Sequence, residues 1–258
     1  PSTHTHTHTH THSLSPFSPP YRYLQLLLEC ILNEEGMSLA SKHGAQHLRR
    51  ALRARDASTR LKRLSLAEAA FARGSQAGER QLNFHWRATQ EEIKLLKIKA
   101  GMVEETGTQM AKWIDLSAGQ TFRELIVRRD LTKADELRSV FRMSEKACYH
   151  IKVHALSAIH DWAGLREFSR KKRPPIGFDP FAEACIEHGD MVAAVYYIDR
   201  IPADAEKLAL YKRAAAWEKA VDTALRMRDG DALRMIQREC RDLTLIGKIE
   251  THLKRNRL

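Results

Sequence analysis

The chain has 258 residues, of which 43% are hydrophobic and 7% aromatic, enough for one large domain or a repeat array, but not for a core of large rings. A formal net charge of +11 and a pI near 9.6 leave three kinds of partner open: nucleic acid, an anionic membrane surface or an acidic protein. The four cysteines, Cys30, Cys148, Cys185 and Cys240, form no close pair, which excludes a zinc knuckle and a CxxC redox site and suggests buried thiols in a reducing compartment.

Residues 1–20 alternate Thr and His and end in a Ser/Pro patch, and are expected to form a disordered low-complexity tail. The chain begins without methionine, as a fragment lacking its N-terminal part would. Tyr23–Leu32 is apolar but short and interrupted by Glu29. With no run of eighteen apolar residues no membrane span is expected, and without a basic start or a small-residue cleavage site the segment is not expected to be a signal peptide.

From Tyr21 onward the periodicity is helical, with no convincing alternating strand. Helices are predicted over Tyr21–Asn33, Ala45–Ala54, Ser58–Arg73 (stopped by Gly74) and Glu79–Glu105, the longest. Shorter ones follow at Ala118–Arg129, Lys133–Phe141, Glu145–Ile159, Trp162–Lys171, Pro180–Glu187, Met191–Ile198, Asp204–Ala214, Trp217–Met227 and Ala232–Arg238. Thr132 ahead of Asp135 and Glu136, and Ser144 ahead of Glu145, read as helix starts. A weak repeat places Trp162-x-x-Leu165, Met191-x-x-Ala194, Trp217-x-x-Ala220 and Leu233-x-x-Ile236 after turns at His160-Asp161, Gly189-Asp190, Ala215-Ala216 and Gly230-Asp231. Such hairpins bury a continuous core only through their neighbours. The fold class is therefore all-α, an elongated α-solenoid of stacked helical hairpins.

The long helix carries two apolar registers. One is Leu82, Trp86, Thr89, Ile93, Leu96, Ala100 and Val103; the other is Phe84, Ala88, Glu91, Leu95, Ile98 and Met102. Two residues on a helix turn about 200°, so these seams fall on nearly opposite faces and both need cover. Either solenoid neighbours cover both, or one packs at home and the other receives a partner, with Ala88 and Ala100 permitting close approach.

Catalytic chemistry finds little support. His150 and His154, and His43 and His47, have the i, i+4 spacing of metal ligands, but no carboxylate accompanies them in a zinc-protease arrangement, and Gly44 weakens the helix around the second pair. No phosphate loop, nucleophile elbow or Rossmann fingerprint is present. No enzyme activity, cofactor or metal is expected. Arg49, Arg50, Arg53, Arg55, Arg60, Lys62 and Arg63 form one basic cluster and Arg170–Arg173 another. Neither interleaves stacking aromatics, so both read first as solvated surface.

The corner Arg170-Lys171-Lys172-Arg173-Pro174-Pro175-Ile176-Gly177-Phe178-Asp179-Pro180-Phe181, followed by Cys185, ends one helix and starts the next. The prolines block continuation, Gly177 turns the chain, and Asp179 is a candidate N-cap with Pro180 at the first helical position. With Leu156, Asp161, Trp162, Leu165 to Phe168, Phe141, the Lys146–Leu156 segment, Leu116-Ser117 and Ala88–Leu96, this corner resembles the C-terminal domain of vacuolar protein sorting-associated protein 16. The resemblance spans roughly Arg60 to Cys240.

It implies a scaffold subunit of an endolysosomal tether of HOPS or CORVET type that recruits an SM-family SNARE chaperone, vacuolar protein sorting-associated protein 33. Other complex subunits, and SNAREs indirectly, would be partners, with no nucleic acid. The location implied is cytoplasmic, peripheral on late endosome, lysosome or vacuole. Ala88, Thr89, Glu91, Leu95 and Leu96 match the family's docking helix, and Lys146 matches a further contact. With the second register, the candidate partner-binding residues are thus Phe84, Ala88, Glu91, Leu95, Ile98, Met102 and Lys146. Ala147 stands where the family pattern has arginine, so any polar contact at that end falls to Lys146 or His150. Pro174, Pro175, Ile176, Gly177, Pro180 and Phe181 are structural. The expected organisation is a tail over 1–20 and a solenoid over 21–258. Its subdivisions are poorly matched helices over 21–59, a docking region over 60–158 and C-terminal repeats over 159–258. A propeller-less relative pairing with a second SM homologue, and a basic nucleic-acid-binding repeat, are the alternatives.

Overall fold

A computed structural model describes residues 22–32, 38–107, 109–171 and 173–256. The Thr-His tail lies outside these residues. Among the described residues there are fourteen α-helices and no strand: α1 (Arg22–Leu32), α2 (Leu39–Arg53), α3 (Ala57–Gln76), α4 (Arg80–Thr106), α5 (Ala118–Val127), α6 (Leu131–Val140), α7 (Glu145–Ala158), α8 (Trp162–Lys171), α9 (Asp179–Glu187), α10 (Met191–Ile198), α11 (Asp204–Arg213), α12 (Trp217–Met227), α13 (Gly230–Glu239) and α14 (Leu243–Asn256). The fold is an all-α solenoid of stacked helical hairpins. The chain divides into two compact units, Pro1–Leu125 with Thr132–Arg142, and Ile126–Leu131 with Met143–Leu258.

In the first unit α2, α3 and α4 pack successively, and α1 joins α2. Their shared core holds Leu28, Ile31, Leu48, Leu64, Phe71, Leu82, Ala88 and Leu96. α2 begins six residues before the predicted Ala45, because Ser38 caps it by accepting from the Ser41 N–H at 3.1 Å. Gly44 therefore sits inside a helix. A Cβ there would lie 2.0 Å from Phe71 Cε1, so the missing side chain admits the fully buried Phe71 ring. Gly74 does not stop α3 as expected. It is buried within the helix, where a Cβ would meet Leu82 Cδ1 at 2.2 Å, and the helix ends at Gly78 with φ +94°. Thr132 likewise lies inside the first turn of α6, which starts at Leu131, whereas Ser144 caps α7 as expected, accepting from the Ala147 N–H.

The second unit repeats one joint. After α7, α9, α11 and α12 a residue with positive φ (His160, Gly189, Ala215, Arg228) reverses the chain. Its N–H donates to the carbonyl three residues back. The next residue's N–H donates five back: Asp161 to Leu156 at 2.9 Å, Asp190 to Cys185 at 3.0 Å, Ala216 to Tyr211 at 2.9 Å and Asp229 to Ala224 at 3.1 Å. These are Schellman closures, and they satisfy carbonyls that the helix end leaves orphaned. In three of them the second residue is an aspartate that caps the following helix, Asp161 to the Gly164 N–H, Asp190 to Ala193 and Asp229 to Ala232, at 2.8–2.9 Å. The fourth turn is thus Arg228-Asp229, two residues before the predicted Gly230-Asp231, since the aspartate with a free N–H ahead of it sets the register. Leu165, Ala194, Ala220, Leu233 and Ile236 are fully buried, as the repeat requires, while Met191 stays partly exposed. α14 extends the array past the last predicted helix.

The corner is a turn in which the Gly177 N–H donates to the Pro174 carbonyl at 3.2 Å, with Gly177 at φ +73°. Helix α9 starts at Asp179, one residue before the expected position, and no side chain caps it. Instead the Asp179 carboxylate folds back to 3.0 Å from where a Gly177 Cβ would stand. Pro174 is buried, and Pro175, Ile176 and Pro180 are partly so. Phe181 is fully buried in a run of rings: Tyr149 to Phe168 at 4.6 Å, Phe168 to Phe181 at 6.2 Å, Phe181 to Tyr197 at 5.1 Å, with Phe178 against both Phe181 and Tyr197. These rings join α7, α8, α9 and α10. Burial pushes the Tyr197 phenol up to about 12, although its hydroxyl hydrogen-bonds Ser169.

Two substitutions test this packing. Gly44→Ala forces a methyl into the closed Phe71 site and is expected to cost about 1–3 kcal/mol, read as a lower urea midpoint at unchanged slope. Ala215→Gly relieves a left-handed alanine at an exposed turn (φ 52°) and is expected to raise stability by about 0.5–1 kcal/mol in the same assay.

Candidate partner-docking surface

α4 is 27 residues long and ends where Gly107, at φ +63°, returns its N–H to the Val103 carbonyl. Its two apolar registers do not form separate faces. Leu82, Thr89, Ile93 and Leu96 are buried, and so are Ala88, Leu95 and Met102 of the other register. The strip between them, His85, Glu92 and Lys99, turns inward too. The buried side of α4 is one broad arc of about half the circumference, with a polar stripe along its middle. Sequence periodicity splits that arc in two because residues at i, i+7, i+14 along its centre are ionisable.

The stripe meets a guanidinium. Arg60, counted above with the surface basic cluster, is only 3% exposed. It reaches from α3 to donate to the Ile114 carbonyl at 2.9 Å, the Asp115 carboxylate at 2.7 Å and the Ala54 carbonyl at 3.1 Å. Lys99 is fully buried and donates to the Leu116 carbonyl. Burial pushes its amine down to about 8, with Glu92 opposing and Arg60 reinforcing; burial also raises the Glu92 carboxyl. The four charges tie the ends of α2 and α4 to the segment ahead of α5.

The outward side of α4 presents Phe84, Arg87, Gln90, Glu91, Lys94 and Lys97. Phe84 is 62% exposed, the large apolar residue that the helix offers to solvent, with its ring edge-on to His85 at 5.9 Å. Beside it, Arg87, Gln90, Glu91, Ile93, Lys94 and Lys97 line, with Glu68 of α3, an open groove of roughly 530 Å³. Glu68 is held there by Gln90 Nε2 at 2.9 Å and Trp86 Nε1 at 3.3 Å. Of the α4 candidates, Phe84 and Glu91 are accessible, Ile98 is partly buried, and Ala88, Leu95 and Met102 are inside the chain's own packing. Lys146 is exposed in the first turn of α7, in the second unit. Arg87, Lys94 and Lys97 were not singled out by periodicity, which records apolar positions; Arg87 is three residues after Phe84, Lys94 three after Glu91 and Lys97 three after Lys94, the spacing that places neighbours on one strip.

The model of the Vps16 C-terminal region matches residues 39–253. The chain belongs to that family. The match reaches beyond the Arg60–Cys240 span on both sides. Among its relatives, Protein VACUOLELESS1 of Arabidopsis thaliana is 37% identical over 171 residues, covering 66% of this chain and 20% of the relative. The vacuolar protein sorting-associated protein 16 homolog of Dictyostelium discoideum is 31% identical over 160 residues, 62% of this chain and 19% of the relative. Vacuolar protein sorting-associated protein 16 of Saccharomyces cerevisiae is 28% identical over 136 residues, 52% and 17%. The chain therefore spans about a fifth of the length of these relatives. Among the described residues no helix is long and apolar enough to cross a membrane, and no group of three or more His, Cys, Asp or Glu gathers as a metal site would. The His154 imidazole, pushed down chiefly by burial, faces Glu187 at 4.0 Å.

The buried network gives a pH signature. Lys99 has a lower pKa folded than unfolded, so between about 8 and 10.5 the unfolded chain binds more protons. The Lys99 contribution to stability should rise with pH across that window and is lost as pH falls through 8, while Cys185 and Tyr197, which burial raises to about 12, work against it from about 9 upward. Lys99→Met is expected to flatten the rise, measured by urea unfolding at a series of pH values.

Proposed function

We propose that the chain is the partner-recruiting segment of a vacuolar or endolysosomal tethering subunit of HOPS or CORVET type, and that the outward strip of α4 docks an SM-family SNARE chaperone. The observation that carries this is Phe84, an aromatic side chain held in solvent on a helix whose opposite side is fixed in a closed core. An exposed ring beside alternating charges has the composition of an interface anchor with a polar rim. Arg87, Lys94 and Lys97 against Glu91 and Glu68 supply charge pairs that set register on a partner helix. Vesicle fusion and intracellular transport follow if such a partner is delivered to SNAREs, with the subunit peripheral on late endosome, lysosome or vacuole.

Copurification with the organism's SM homologues tests the strip directly. Phe84→Glu is expected to leave the melting temperature unchanged and to weaken binding by about tenfold or more. Ala88→Asp is expected to lower the melting temperature, because its carboxylate would enter the core of the first unit. Unchanged binding by a folded Phe84→Glu variant would remove α4 as the docking face.

A further inference from the structure

A second surface, wholly within the second unit, has a different chemistry. Between α8 and α10 runs an open groove of roughly 480 Å³, lined by Trp162, Ala163, Arg166, Glu167, Arg170, Asp190, Val192 and Ala193. Val192 is 80% exposed and its neighbour Met191 is also partly in solvent, although both belong to the most apolar helix of the unit. Two arginines of the lining, Arg166 and Arg170, meet Arg200, which lies outside it, at Tyr196. Arg166 lies 4.9 Å and Arg200 3.5 Å from the centre of the Tyr196 ring, and Arg170 hydrogen-bonds Tyr196. Arg200 also donates to the Tyr196 carbonyl at 2.6 Å.

An arginine cluster on a surface normally finds carboxylates. Here the cluster is ordered by an aromatic ring instead, and among the described residues no carboxylate is paired with Arg166, Arg170 or Arg200. Two carboxylates line the groove: Asp190, one oxygen of which is engaged in capping α10 at 2.8 Å from the Ala193 N–H, and Glu167, which has a partner of its own. Stacking holds guanidinium planes without neutralising them and leaves their edge N–H groups free for bidentate acceptors. The Tyr196 phenol is held below its ordinary range, first by the Arg170 hydrogen bond and further by Arg200 and Arg166, as a local positive field requires.

We propose that the groove between α8 and α10 binds an acidic segment of a partner protein, with its carboxylates on Arg166, Arg170 and Arg200 and an aliphatic or aromatic side chain against Trp162 and Val192. The charge is complementary to Asp and Glu, and the recessed apolar wall selects a polypeptide. A bilayer meets convex surface and cannot enter a groove between two helices. A nucleic-acid strand would need successive stacking faces, and the lining offers Trp162 alone, since the Tyr196 face is occupied by arginine. The site is independent of α4, so it gives the segment a second point of attachment.

A phage library of random peptides, selected on the full chain, tests it. Enrichment of peptides with several Asp or Glu flanking a Leu, Ile or Phe is expected. Arg166→Glu combined with Arg200→Glu should weaken their binding by about tenfold or more, whereas Arg49→Glu with Arg53→Glu, the same charge change on exposed residues of α2, should weaken it far less. Val192→Glu, at a position too exposed to disturb the core, should act like the first pair and covers the case in which that pair fails to fold. Failure to enrich acidic peptides, or equal loss in both arginine pairs, overturns the proposal. Binding to phosphatidylserine vesicles that falls with Arg166→Glu/Arg200→Glu, without acidic-peptide enrichment, would assign the arginines to lipid instead.

Discussion

The constraint on which the rest depends is that helices of eight to fourteen residues must pass to one another without leaving backbone groups dry and unpaired. In the second unit the joint achieves this in two residues. One adopts left-handed φ, its N–H and the next residue's N–H return to the helix just finished, and an aspartate at the second position takes an N–H of the helix about to start. A non-glycine residue in that conformation is strained by roughly 1 kcal/mol. His160, Ala215 and Arg228 accept it because each of these joints recovers two carbonyl bonds, as the Gly189 joint does. α3 ends in the same way at Gly78, where Glu79 donates to the Gly74 carbonyl at 3.2 Å.

The first unit solves a related problem with a side chain. The chain after α2 and the segment ahead of α5 bring irregular backbone carbonyls into the interior, and Arg60 collects them. One guanidinium bonds the carbonyls of Ala54 and Ile114 and the carboxylate of Asp115, while Lys99 serves Leu116. Burying charge here is costly, as the depressed Lys99 amine shows. Breaking one partner would leave the others unpaired in the core, which is more costly still. The polar stripe of α4 is thus the inner wall of the unit, and it fixes by elimination which side of α4 can meet anything else.

The helix order, most boundaries and the all-α class were legible in the sequence, because capping residues and 3.6-residue spacing act locally. Gly44 and Gly74 were misread as breakers because glycine in a helix is ambiguous until its neighbour is known: Phe71 fills one gap and Leu82 the other. Arg60 was grouped with Arg49, Arg53 and Lys62, since sequence proximity cannot show that it reaches residues 54 positions away. Periodicity placed Phe84, Ala88, Glu91, Leu95 and Met102 on one seam and left open whether neighbours or a partner cover it, and the resemblance then made all five candidates for docking. The burial of Ala88, Leu95 and Met102 depends on His85, Glu92 and Lys99 being acceptable in the interior. The Leu116 carbonyl makes Lys99 so, and the Lys99 and Arg60 charges favour the Glu92 carboxylate.

Satisfied joints also decide how such a chain can be recognised. After α7, α9, α11 and α12 the turn returns two N–H groups to the finished helix, so the carbonyls that accept them are not available to capture a partner's backbone. Recognition is left to side chains on helix faces, and a face is informative only where it departs from the charged, solvated norm. Among the places that do so is one in each unit with charge beside it. On α4 an aromatic ring stands among alternating charges. Between α8 and α10 three arginines are arranged by a tyrosine beside an exposed valine. The formal charge of +11 belongs to this logic. Spread over the surface it raises encounter rates with acidic partners in general, but specificity requires cations whose geometry is fixed, and stacked guanidinium groups are fixed where lysines are not.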